Sequence, residues 1–134
     1  MEWLGDSSPA RAGVERTLHF RVRDPSGAPA TLEPYLGMSA HAIIVRTDGS
    51  VFIHLHPMGT VSPAAQEAFA LRDRGDTTPG GRLRHVGAAM NAEPMRLSSD
   101  FAIPYVFPRA GTYRIWVQVR RASRVLTGVF VVTV

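Results

Sequence analysis

The sequence predicts an all-β fold, two antiparallel sheets packed as a sandwich, with one short helix and a long loop insertion. Three observations predict it. The last third of the chain holds three apolar runs rich in β-branched and aromatic residues, DFAIPYVF, GTYRIWVQVRR and RVLTGVFVVTV, separated only by PRA and AS, as consecutive antiparallel strands require. Ten prolines and twelve glycines in 134 residues supply many turns, and no βαβ alternation runs through the chain. Gly111 and Tyr113 open a strand as in a tyrosine corner, where the hydroxyl bonds back to the chain a few residues upstream, and this makes the sandwich immunoglobulin-like.

Taken in order, residues 1–13 carry Ser, Pro, Gly and charge without periodicity and read as a tail or linker before a single sandwich domain at 14–134. RTLHFRV alternates, with Leu18, Phe20 and Val22 on one face and His19 on the polar one. DPSGAPA is turn chemistry, and TLEPYLGMS crosses to a β-hairpin, HAIIVRTDGSVFIHLHP, at 41–57. SPAAQEAFALR at 62–72 predicts a helix capped by Ser62, with Pro63 at its first position and Ala65, Phe69 and Leu71 as its buried stripe. Residues 73–97 have no clear period, so an insertion of about 60–97 leaves the sheet, and loops of that length are usually functional or mobile. The expected core is Leu18, Phe20, Ile44, Ile53, Ile103, Tyr113, Ile115, Trp116 and Val129.

Composition removes several function classes. Without cysteine there is no disulfide framework, no thiolate metal site and no thiol nucleophile. A chain of 134 residues buries enough surface to fold unaided, so a metal here is functional rather than structural. The net charge of +4 comes from scattered arginines with no basic face or nucleic-acid motif, so no nucleic-acid partner is expected. The opening MEWLGDSSPARAGVERT lacks the apolar core of an export signal, and no run reaches the ~18 apolar residues of a membrane span.

The chemistry concentrates in the hairpin. Asp48-Gly49 signals a two-residue turn with positive φ at both positions. Counting outward, Val45 faces Phe52, Ile43 faces His54 and His41 faces His56, so the three histidines share one side of the sheet. A three-residue turn would send His41 to the other face, whereas a four-residue turn restores the parity. A His-x-His pair plus one cross-strand His offers three facial nitrogens, and neutral imidazole suits zinc, copper, iron or nickel. Met38 and Met58 flank the cluster, and thioethers beside imidazoles suit copper, although methionine also fills cores. His85 has no register tying it to the cluster, and neither Glu33 nor Glu67 has a spacing that makes it an acid or base.

The segment from Arg21 through LEPYLGMSAHAIIVR and HLHP, with the closing FPRAGTYRIWVQV, resembles small bacterial extracytoplasmic β-sandwich domains, among them the YtkA-like group, over about two-thirds of the chain. The resemblance implies a periplasmic or otherwise extracytoplasmic domain, membrane-tethered in its full length. It further implies a membrane-anchored protein or anchor segment as partner and a metal, copper first, on His41, His54 and His56.

Three functions compete. The first is a non-enzymatic carrier or sensor of copper or zinc. The second is an immunoglobulin-like interaction module of a membrane-associated or envelope complex with structural histidines, favoured if the histidine face is packed under Phe52 and Trp116. The third is a cupin-like metalloenzyme, for which GSVFIHLHP and PGGRLRHVGAAMN are imperfect motifs, since Glu67 falls eleven residues after His56.

Overall fold

The structure, a computed structural model, describes residues 1–5, 8–57, 69, 71–75 and 97–134. The chain divides into two compact units, Met1–Thr60 with Leu97–Val134, and Val61–Arg96. The first unit contains the strands β1 (Glu2–Trp3), β2 (Glu15–Arg21), β3 (His41–Arg46), β4 (Phe52–Leu55), β5 (Asp100–Val106), β6 (Thr112–Arg121) and β7 (Arg124–Thr133). They form an antiparallel sheet of order β1-β2-β5 and another of order β4-β3-β6-β7. With β6 and β7 as consecutive strands of one sheet and β2 and β5 paired in the other, this is the strand distribution of an immunoglobulin-like sandwich.

The two inner faces meet on the residues that strand alternation points inward. Leu18 and Phe20 from β2, Ile44 from β3, Ile103 from β5, and Tyr113, Ile115, Val117 and Val119 from β6 are all buried. Phe20 lies at the centre of an aromatic cluster that joins the sheets, with ring centroids 5.7 Å from Phe101, 5.3 Å from Phe130 and 6.3 Å from Trp3. The Tyr113 hydroxyl donates to the Arg109 carbonyl at 2.7 Å, which is the tyrosine corner expected from the sequence.

Four expectations need correction. Residues 1–13 are more than a tail: Trp3 pairs with Phe20 in the β1–β2 ladder, the Leu4 N–H donates to the His19 carbonyl, and Ala10 is buried. A two-residue strand is too short to show a period, so what anchors it is the burial of the Trp3 indole against Phe20 and Phe130. Trp116 and Val129 belong to the outer face instead of the core, because the ladder pairs Trp116 with Ile43 on one side and Val129 on the other. Both faces of β7 carry apolar residues, so alternation alone did not place Val129, whereas on β6 Trp116 shares its face with Arg114 and Gln118, opposite Tyr113, Ile115 and Val117. Of the helix at 62–72, Phe69, Leu71 and Arg72 are described and helical, yet Phe69 is exposed rather than buried; Ala65 and the cap lie outside the described residues.

The fourth correction concerns turns. The β3–β4 connection is a four-residue loop, Thr47–Ser50, in which the Gly49 N–H donates to the Arg46 carbonyl and Asp48 keeps an ordinary φ. The Asp48 carboxylate shapes it by accepting from the Ser50 N–H and hydroxyl and pairing with Arg46. Turns with positive φ at both central residues occur instead at Ala122-Ser123, between β6 and β7, and at Leu36-Gly37 before β3. Leu36, at φ 48°, adopts the left-handed conformation with its side chain 73% exposed. Leu36→Asn is therefore expected to raise stability by about 1 kcal/mol in urea unfolding, because Asn tolerates this conformation better; an unchanged or lowered midpoint would show that Leu36 packs in solution.

Candidate metal centre

The hairpin register runs Val45↔Phe52, Ile44↔Ile53, Ile43↔His54 and Ala42↔Leu55, and one pair further out it opposes His41 and His56. A four-residue loop preserves the parity of a two-residue one, so the histidines share a face as expected although the turn differs. Leu55 points into the core between them, which fixes His54 and His56 to the outer side.

The three imidazoles converge. His41 and His54 have ring centroids 5.3 Å apart and nearly parallel planes, while His56 meets both edge-on at 4.8 and 4.7 Å. One ring nitrogen from each lies within 4.8 Å of those of the other two. His41 and His56 are 7% and 8% exposed, and His54 is exposed to solvent. Among the described residues, no carboxylate belongs to this group.

Tyr35, to which the sequence reading gave no role, orients the site. His41 Nε2 lies 2.8 Å from the Tyr35 carbonyl. A carbonyl only accepts, so Nε2 carries the proton and Nδ1 presents its lone pair. A metal-bound histidine commonly donates its second N–H to a backbone carbonyl in this way. The Tyr35 carbonyl is itself positioned by the Leu36-Gly37 turn, in which Tyr35 and Met38 exchange both backbone hydrogen bonds, and the Tyr35 ring stands edge-on to His41 at 5.2 Å. In the sequence Tyr-Leu-Gly-Met lies in the segment that crosses to the hairpin, and nothing local showed which side chain its turn would hold.

His41 Nδ1 is 3.1 Å from His54 Nε2. This separation suits a hydrogen bond in the metal-free chain. It also suits two ligands of one ion, since metal–nitrogen bonds of about 2.0–2.1 Å set tetrahedral ligands about 3.3 Å apart. The His triad could thus hold a metal once His54 moves its proton to Nδ1, so that both nitrogens offer lone pairs to the ion.

Met38 is buried, and its backbone closes the turn at Tyr35. Glu33 pairs with Arg120 and accepts from the Ser123 N–H, clipping the crossing segment to the β6–β7 turn. Met58, Glu67, His85 and the segment PGGRLRHVGAAMN lie outside the described residues.

Burial pushes the His41 pKa below the usual histidine value; the Tyr35 carbonyl opposes this and the neighbouring His54 adds to it. Folded His41 therefore stays neutral at a pH where the unfolded chain already takes up the proton. The stability His41 contributes is present above about pH 6.5 and is lost as pH falls through its folded pKa. Urea midpoints in the presence of a chelator are expected to drop between pH 7 and pH 5, and to drop less in His41→Gln; equal slopes would remove His41 as the cause.

The outer face continues from the triad as a grid. His54, Ile43, Trp116 and Val129 form one row across β4, β3, β6 and β7, and Phe52, Val45, Arg114 and Val131 form the next. The histidines are not packed beneath the aromatics: Phe52 is 69% exposed, and Trp116 is half-buried with the Arg114 guanidinium 5.7 Å from its ring centre.

Residues 2–134 match a family model described as Domain of unknown function (DUF8832). No curated protein and no solved structure matches the chain.

Proposed function

The chain belongs to that family, and we propose that it is a non-enzymatic metal-binding domain, a carrier or sensor that holds one copper or zinc ion on His41, His54 and His56. The observation that carries this reading is the His41 Nδ1–His54 Nε2 spacing of 3.1 Å, with the His41 tautomer held by the Tyr35 carbonyl. Three neutral imidazoles without a thiolate or carboxylate form a donor set that suits copper(II) and zinc, and copper(II) stands above zinc in affinity at nitrogen sites. An extracytoplasmic setting beside a membrane-anchored protein or anchor segment goes with this role and rests on the resemblance to the YtkA-like group.

Elemental analysis of protein purified without a polyhistidine tag, followed by titration with Cu(I), Cu(II) and Zn(II), tests the reading. One equivalent of copper or zinc per chain is expected. Failure to bind any of them stoichiometrically would favour the second reading, an immunoglobulin-like interaction module with structural histidines, to which the exposed outer face of the β4-β3-β6-β7 sheet also points.

A further inference from the structure

Beside the triad lies a cleft of about 340 Å³ lined by Ile43, Val45, Phe52, Trp116, Gln118 and Thr127. We infer that this cleft takes a small aromatic molecule bearing one neutral nitrogen, oxygen or sulfur donor, and that the donor completes the coordination of the metal held by His41, His54 and His56. The inference rests on the metal-binding reading above and adds an exogenous ligand to it.

Three observations lead there. Three protein nitrogens leave a position open on a four-coordinate ion, and such positions are filled by water or an incoming ligand. The cleft adjoins the exposed side of the triad: His54 lies opposite Ile43 in the ladder and two residues from Phe52 on the same face of β4, and both of these line the cleft. Its chemistry is that of a small-molecule site, with Ile43, Val45, Phe52 and Trp116 supplying apolar walls and Gln118 and Thr127 supplying polar groups in the row of His41. No charged side chain lines the cleft, so an uncharged body fits it best. Its volume of about 340 Å³ falls at the small end of ligand sites.

Chain loaded with one equivalent of Co(II) and followed by its visible d–d spectrum tests this with imidazole and 4-phenylimidazole as probes. Both are expected to change the spectrum, 4-phenylimidazole binding about tenfold more tightly because its phenyl group is buried in the cleft. Phe52→Ser, at an exposed position that should leave folding intact, is expected to abolish the preference while one metal per chain is retained. Equal affinity of the wild type for the two probes, with the metal bound, would overturn this inference and leave the metal site standing. A chain that takes up no metal would overturn both. A dimer in sedimentation that Phe52→Ser dissociates would give the face to a second copy of the chain and overturn the small-molecule assignment.

Discussion

Replacing His54 with Ala is expected to lower the affinity for Cu(II) or Zn(II) by about a hundredfold or more, with little change in folding stability. The magnitude follows from the loss of a direct ligand, since outer-shell partners alone are worth roughly 10–100-fold. The small stability cost follows from position: His54 is exposed, and the hairpin around it is held by backbone pairing and by Leu55 on the inner side. His19→Ala serves as control, because His19 is exposed on β2 in the other sheet. Calorimetric titration that returned the same affinity for wild type, His54→Ala and His19→Ala would make the triad a structural or surface cluster. His41→Ala is expected to lose metal as well, but it also removes a buried side chain and one of the two donors to the Tyr35 carbonyl, so its thermal stability should fall with its affinity.

The largest stability loss is expected from Phe20→Ala. Phe20 is fully buried and touches aromatic rings on both sheets, Phe101 and Trp3 on its own and Phe130 on the opposite one. Truncation removes the apolar contact area and leaves a cavity that rings held by two sheets cannot fill, a cost of about 3–5 kcal/mol. A loss under about 1 kcal/mol in urea unfolding would mean that β1 and β7 collapse onto the gap, and that the sandwich is less tightly packed at that end than the ring distances indicate.

The parts of this molecule that were legible in the sequence are those governed by short-range parity. The shared face of His41, His54 and His56 follows from the two-residue period of paired strands, and it survived a wrong turn type because loops of two and four residues impose the same parity. Tyr113 was legible because a corner tyrosine needs only its own strand start and a carbonyl four residues upstream. What was illegible depends on pairing between distant segments. The facing of Val129 was decided by the β6–β7 ladder, since both faces of β7 carry apolar residues; Trp116, by contrast, shares its face with Arg114 and Gln118 in the alternation of β6 itself. The cleft beside the triad arises only when β6 brings Trp116 and Gln118 alongside Ile43 and His41, which lie more than seventy positions away in the chain. The role of Tyr35 was hidden for a different reason, because the group that orients His41 is a backbone carbonyl and side-chain identity does not reveal it.

The central claim is that one ion is held by the nitrogens of His41, His54 and His56, and X-ray absorption on chain loaded with one equivalent of zinc tests it most directly. The account predicts a first shell of light scatterers at about 2.0–2.1 Å with the outer-shell pattern of three imidazole rings, reduced to two in His54→Ala. A first shell without imidazole scattering, or a sulfur at about 2.3 Å in place of one of the nitrogens, would contradict it.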